Sequence, residues 1–147
     1  TKNNDSENFQ RILLIEDIDL NLVGLDGKSP LMIAIDNNNY QMTKTLFNDP
    51  RIILEENQLE KLVFESISQN KFSFIQVLLP EKRFLKSISI MKDSQNRNIL
   101  WHSIKNSNIE TIQKILTLKD IDINLVDLDD KTPFIIAAEM NNLDAMK

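Results

Sequence analysis

The residue best suited to acid–base chemistry is His102, the only histidine of the chain. A catalytic histidine needs a nucleophile or a carboxylate held beside it within hydrogen-bond reach. The chain has no cysteine, and Ser103 is the adjacent residue rather than one placed across a helix face. Catalysis is therefore not expected, and we expect a buried or half-buried histidine that is hydrogen-bonded to a neighbouring loop.

The residues best suited to metal binding are Asp120, Asp122 and Asn124, which are spaced like the start of a calcium-binding loop. Such a loop needs glycine at its sixth position and glutamate at its twelfth. This chain has Leu125 and Lys131 there. Two glycines in the whole chain are also too few for a loop that cradles phosphate. Neither a metal nor a cofactor is expected.

Composition excludes further classes of function. The net charge of the 147 residues is −5, with acids and bases interspersed, so no nucleic-acid partner is expected. No apolar run approaches the roughly 20 residues that span a bilayer, and the polar start has no signal-peptide pattern. The absence of cysteine favours a reducing compartment. We therefore expect an intracellular, cytoplasmic protein that binds neither a membrane nor a small-molecule substrate.

An internal repeat supplies the elements that must position any functional surface. Residues 17–44 recur as residues 120–147, at an offset of 103 residues without a gap, and fifteen of the 28 aligned positions are identical. Two weaker copies, residues 61–79 and 98–116, lie between them. Three units of about 34 residues fill the offset, which predicts an array of repeated units.

Local patterns predict where the helices begin and end. Ser29 and Asn98 are favourable N-caps, and Pro30 suits the first helical position, where its missing N–H costs nothing. Asn38 follows the first of these helices at a position that requires positive φ, which asparagine tolerates best after glycine. Its counterparts are Asn70, Ser107 and Asn141. The predicted buried side of the helix comprises Leu31, Ile33, Ala34 and Ile35.

The units resemble ankyrin repeats, which are about 33 residues long. SPLMIAI (29–35) and TPFIIAA (132–138) are similar to the TPLHLAA start of the family's first helix, and DIDLN and DIDIN are similar to its hairpin stretch. The TPLH histidine is missing from every unit, and glycine is nearly absent. The resemblance implies an all-α fold with β-hairpin-like fingers, in which helix-turn-helix pairs stack into an ankyrin-repeat solenoid.

The resemblance divides the chain, as a single domain of residues 1–147, into five units. They are a partial repeat 1–23 with a second helix and a finger, a repeat 24–55, a degenerate repeat 56–92 with an enlarged loop, a repeat 93–126 and a partial repeat 127–147. Period-two alternation over Ile15–Gly27 predicts the first extended finger. Both ends of the chain are expected to continue into further repeats.

The stretch 80–97 is longer than the repeat pattern allows, and we expect an enlarged finger there. Its basic segment, residues 82–92, could face a membrane or an anionic partner. Acidic residues flank the segment on both sides. An ordinary solvated loop is therefore the preferred interpretation.

The ankyrin resemblance implies that a protein partner binds the concave groove that finger tips and first helices form. The family's variable contact positions fall here on Leu25, Asp26, Lys28, Asp36 and Asn37, on Ser94, Gln95, Arg97, Lys105 and Asn106, and on Leu128, Asp129, Lys131, Glu139 and Met140. Trp101 takes the place of the missing histidine. Its side chain either packs between helix pairs or is partly exposed and anchors a partner.

The first functional hypothesis is accordingly a non-catalytic scaffold for protein–protein interaction. An alternative is the substrate-docking or regulatory arm of a larger multidomain enzyme. The abundance of lysine, isoleucine and asparagine resembles coding from an AT-rich genome. It would suit a protist protein or a secreted effector of an intracellular bacterium, acting in the host cytoplasm. A purely structural spacer is a third possibility.

Overall fold

In the computed structural model, the structure describes residues 2–140, apart from the side chains of residues 2–6 and 83. This part of the chain contains nine α-helices and no strand, which confirms the predicted all-α class. The helices are α1 Lys2–Leu13, α2 Pro30–Asp36, α3 Tyr40–Phe47, α4 Glu56–Ser68, α5 Phe72–Leu78, α6 Lys82–Ile90, α7 Ile99–Lys105, α8 Ile109–Ile115 and α9 Pro133–Glu139.

The helices pack in two rows. Helices α2, α4, α7 and α9 follow one another in the first row, and α3, α5 and α8 in the second. Within each pair, α2 packs on α3, α4 on α5 and α7 on α8. The sequence units therefore form antiparallel helix pairs, each of which lies against the next.

The hydrophobic core lies between and within the rows. Leu31, Leu46, Phe74 and Ile115 are among its largest fully buried side chains. Each such side chain contributes roughly 1.5–3 kcal/mol relative to an exposed position. Ala34 is fully buried as well, and its single methyl group lets a neighbouring helix approach closely.

One predicted core residue, Ile33, is exposed to 43%. Its counterpart Ile136, at the offset of 103 residues, is 5% exposed because α9 packs on the preceding first helix, α7. Among the described residues, α2 is the first helix of its row. The side chain at this position of the repeat thus packs against the first helix of the preceding unit. The sequence of one unit does not reveal whether that contact is made.

The predicted helix starts are confirmed. Ser29 Oγ accepts a hydrogen bond from Met32 N at 3.3 Å, and Asn98 Oδ1 accepts one from Trp101 N at 3.0 Å. Pro30 occupies the first turn of α2. These caps satisfy amides that have no partner within the helix.

The turn inside each helix pair holds a residue with positive φ, as predicted. The angle is 50° at Asn38, 58° at Asn70 and 54° at Ser107. In all three turns the following amides bond back to carbonyls at the end of the preceding helix. The fourth predicted position, Asn141, lies outside the described residues.

The predicted β-hairpin fingers are not seen, since residues 2–140 contain no strand. The finger Ile15–Gly27 consists of turns and irregular backbone. Asp19 Oδ1 accepts from Asn21 N at 2.8 Å, and Asp26 Oδ1 accepts from Lys28 N at 3.1 Å. Aspartate and asparagine side chains compete with a strand ladder for backbone amides. The alternating acids therefore make local turns rather than extended chain.

An enlarged finger was expected over residues 80–97, as the loop of the unit 56–92. Half of this segment is instead the helix α6, which has nine residues. Phe84 and Ile88 are four residues apart, so they lie on one helix face. Ile88 is fully buried, and the Phe84 ring lies 5.6 Å from that of Phe47. Apolar residues at helical spacing determine the structure of this segment. The alignment with the repeat led to its interpretation as a finger despite this spacing.

The unit 56–92 also departs from the others at its first helix. Helix α4 has 13 residues, while α2, α7 and α9 have seven each. Counted back from the positive-φ asparagines, residues 56–61 take the place of residues 24–29. A reciprocal cap between Glu55 and Gln58 starts the longer helix. Six extra helical residues thus replace a finger tip.

We predict that Asn70→Val lowers the free energy of unfolding by about 1–2 kcal/mol, because a β-branched residue is strained at φ 58°. Asn70 is exposed, so the change adds no buried volume. The control is Asn70→Gly, which should lower the free energy of unfolding by at most a few tenths of the decrease expected for valine. Urea unfolding measures both, and equal costs for valine and glycine would contradict the backbone explanation.

A second prediction concerns Asn98, which is 2% exposed and also donates from Nδ2 to Asp122 O at 2.7 Å. Asn98→Ala removes the cap and leaves the Asp122 carbonyl without its donor, at a cost of about 2–3 kcal/mol. Asn108→Ala removes a cap only, with a cost near 1 kcal/mol. Similar urea midpoints for the two variants would contradict a stabilising role of the bond to Asp122.

Candidate functional site

Three tight turns, termed tips here, lead into the first helices α2, α7 and α9. They are residues 24–28, 93–97 and 127–131, and in each the first amide donates to the fifth carbonyl at 3.0 Å. The fourth residue has positive φ in all three: 72° at Gly27, and 59° at both Asn96 and Asp130. The predicted contact residues at the second and third positions are all exposed, namely Leu25, Asp26, Ser94, Gln95, Leu128 and Asp129.

The last two tips are joined into one surface. Leu128 N donates to Gln95 O at 3.1 Å. The Asn96 side chain donates to Val126 O at 2.6 Å. Residues 93–97 and 127–131 therefore hold a fixed relative position, which a preformed binding surface requires.

Two cavities of similar size lie beside the tips. The first, of 320 Å³, is lined by the tip 24–28, by α2 and by the longer α4, and it includes Asp26, Lys28 and Asp36 of the predicted set. The second, of 330 Å³, lies between α7, α9 and their tips. Seven predicted residues line this second cavity: Gln95, Arg97, Trp101, Lys105, Asp129, Lys131 and Glu139.

A lysine of the tip pairs with an acid of the following helix in two units. Lys28 forms an ion pair with Asp36, and Lys131 Nζ lies 2.8 Å from Glu139 Oε1. Hydrogen bonding to the acid raises the pKa of each lysine above its usual value. Both pairs are partly exposed, so they add little stability. Their main effect is to hold the charges in place along the cavity walls.

The unit 93–126 cannot form this ion pair. Arg97 takes the position of the tip lysine, and Lys105 takes the position of the acid. Arg97 turns away and lies 2.7 Å from the Asp93 carboxylate of its own tip. Lys105 is exposed, and no ion pair reaches it from the residues that the structure describes. The second cavity thus offers a cation that an incoming carboxylate could engage.

A polar cluster around Asp93 supports the second cavity. The carboxylate accepts from Arg97 Nε at 2.8 Å, from the ring of His102 at 2.9 Å and from the backbone amide of Gln95 at 2.9 Å. Burial opposes the ionisation of Asp93, but these donors outweigh it and lower its pKa to about 2. The tip is therefore built on a charged carboxylate at neutral pH.

His102 is half-buried and bonded to a tip, as predicted. Burial lowers its pKa below 6.5, against the opposing effect of Asp93. The imidazole is thus neutral near pH 7, and its Nε2–H donates to the carboxylate. The Phe64 ring of α4 lies 5.2 Å from the imidazole ring. This arrangement positions the tip 93–97 against α7.

Trp101 forms the base of the second cavity. It is 8% exposed, and its indole Nε1 donates to Asp127 Oδ2 at 3.1 Å. The Arg97 guanidinium lies 4.6 Å from the ring centroid. Of the two interpretations of this residue, packing between helix pairs fits the burial, and the side chain reaches a partner only at the cavity floor.

The other predicted residues lie apart from the cavities. Asn37 is exposed after α2, and Met140 is half-buried at the end of α9. Asn106 is half-buried and donates back to His102 O at 2.9 Å. Asp93 and Asp127 were not among the predicted residues, although they occupy the same position at an offset of 34 residues. Helix α4, which lines the first cavity, carried no predicted contact residue either.

Among the side chains that the structure describes, no group of three from histidine, aspartate and glutamate is placed to hold a metal ion. Within the same residues, no helix combines the length and the hydropathy needed to cross a bilayer.

Comparison of the sequence with protein-family models gives no match. Comparison with curated proteins gives no significant match either. The chemistry of the tips and cavities is therefore the basis for assigning a function.

We predict that Asp93→Asn lowers the free energy of unfolding at pH 7 by about 1–2 kcal/mol, an amount that allows for partial solvation of the cluster. The native pKa of about 2 lies below the usual 3.8. The contribution of Asp93 is therefore complete above about pH 4 and is lost as the pH falls towards 2.

Urea unfolding at several pH values checks this expectation, with the exposed Asp17→Asn as the matched control. The difference between wild type and Asp93→Asn should shrink as the pH falls from 4 to 2.5, while the control differs little throughout. A difference independent of pH over this range would count against an ionised Asp93.

Proposed function

We propose that this protein is an ankyrin-repeat array that binds a protein partner without catalysis, through the surface formed by its tips and first helices. The observation that carries the proposal is the second cavity, where seven of the predicted contact residues meet. Stacked helix pairs, proline at helix starts and positive-φ asparagines between paired helices support the family assignment.

A protein fits this surface better than a small molecule. Cavities of 320 and 330 Å³ lie at the low end for small-ligand sites, and their walls are largely charged. Stable protein interfaces bury about 800 Å² on each partner, so they would have to include the tips as well. Leu25 and Leu128 supply large exposed apolar side chains at the tips.

The charges indicate which partner groups would be recognised. Lys105 is the cation without an ion pair in the described part of the second cavity, and Lys131 can exchange Glu139 for a partner's acid. We infer that an acidic side chain of the partner enters here, next to an apolar contact on Leu128. Charge pairs of this kind in an interface contribute both affinity and specificity.

The structure also shows which variants test the surface without damaging it. Arg97 is unsuitable for charge reversal, because it pairs with Asp93 and covers Trp101. Lys105 and Lys131 are surface cations whose replacement leaves the tip hydrogen bonds in place. A matched pair, Lys44 and Lys92, lies outside both cavities and carries the same charge.

We predict that Lys105→Glu/Lys131→Glu abolishes affinity capture of a protein that the wild type and Lys44→Glu/Lys92→Glu both retain. Mass spectrometry identifies the retained protein, and titration of the purified partner should show at least about a tenfold loss of affinity. Thermal unfolding controls for folding. Partner binding should also shift the emission of Trp101, the only tryptophan. Equal capture by all folded variants would contradict the assigned surface.

A further inference from the structure

Helix α6 presents three different faces. Phe84 and Ile88 lie one turn apart and pack into the core. Leu85, one residue further round the helix, is only partly covered. Lys82 and Lys86 lie one turn apart on the exposed face. The helix therefore carries an apolar edge bordered by a row of cations.

This edge lines a groove between α5, α6 and α8. The groove has a volume of 580 Å³, larger than either cavity beside the tips. Leu79, Leu85 and Leu118 are its main apolar lining. The volume is enough for several large apolar side chains, which makes the groove a site of the kind that binds ligand or peptide anchors.

The rim of the groove is basic on both sides. Lys82 and Lys86 lie on the α6 side, Lys114 and Lys119 lie on the α8 side, and Asp120 is the one acidic residue of its described lining. Lys114 pairs with a glutamate on its own helix at 2.7 Å. The other three lysines form no ion pair with any residue that the structure describes.

These unpaired cations occur on a chain whose net charge is −5. Elsewhere on the described surface, Lys28, Lys61 and Lys131 each pair with an acid of the chain itself. A local excess of positive charge around an apolar floor attracts ligands of opposite charge. Internal pairing thus covers Lys28 and Lys131 beside the tips, whereas three of the four lysines of this groove have no described ion pair.

We propose that the groove binds an acidic amphipathic segment of another protein, whose apolar side chains fill the floor and whose carboxylates face the lysines. The proposal goes beyond the surface at the tips, because none of the groove's lining residues belongs to either cavity there. Two basic walls complement a segment with acids on both flanks of one apolar stripe. This is the pattern of a helix laid into a groove.

An anionic membrane surface suits the geometry less well. The leucines lie in a concave groove between helices, with lysines along its edges. Proteins that bind at an interface insert protruding apolar side chains into the headgroup region. A peptide helix can contact the recessed apolar floor of this groove more readily than a bilayer can.

The test uses the full chain and a fluorescein-labelled synthetic helical peptide, with leucines at i, i+3, i+4 and i+7 and glutamates on both flanks. Fluorescence anisotropy should show saturable binding that weakens with added salt. Lys82→Glu/Lys86→Glu should weaken it at least about tenfold. Lys44→Glu/Lys92→Glu, which changes the net charge equally, should bind like the wild type. Replacing the peptide leucines by serine should abolish binding.

Several outcomes would overturn the proposal. They are a lack of saturable binding by the wild type, equal losses in both double variants, and wild-type affinity in a folded Lys82→Glu/Lys86→Glu. Binding to vesicles of phosphatidylserine and phosphatidylcholine, lost in the groove variant and without peptide binding, would assign the groove to a membrane instead. Lys105→Glu/Lys131→Glu should retain the peptide, so failure here and failure at the tips are distinguishable.

Discussion

Packing between successive helix pairs is the interaction on which every other feature of this protein depends. Most of its helices have seven or eight residues, and helices that short are not stable alone in water. Each becomes stable only when its apolar stripe lies against the next pair, as α4 lies between α2 and α7. The tips, the cavities and the α6 groove are what these contacts leave at the surface.

Polar links between units fix how the pairs lie against one another. Asn38 Oδ1 accepts from Ser73 N at 2.9 Å, and Asn21 Nδ2 donates to Arg51 O at 2.7 Å. Apolar packing alone tolerates small shifts, whereas hydrogen bonds to a specific backbone group do not. Abundant asparagine therefore serves two purposes here. Its backbone closes turns with positive φ, and its side chain connects one unit to the next.

The features that were predicted best from the sequence are those that depend on a few neighbouring residues. Ser29, Asn98 and Asn38 act through bonds to backbone within a few positions, and all three behave as expected. The failures at Ile33 and at the fingers have a different cause. The exposure of Ile33 depends on whether another helix packs there, and the fingers depend on competition between side chains and strand pairing. Neither is visible in a single repeat pattern.

Divergence between the units bears on the proposed binding surface. The two units that are most alike in sequence both keep a lysine paired with an acid, at Lys28 and Lys131. Of the two units between them, 93–126 replaces the acid with Lys105 and turns its arginine inward to Asp93. Stability does not require this change, because an exposed ion pair contributes little. The exchange leaves Lys105 as a cation that the proposed partner can engage. The same reasoning applies to the lysines of α6, whose helix the other described units lack.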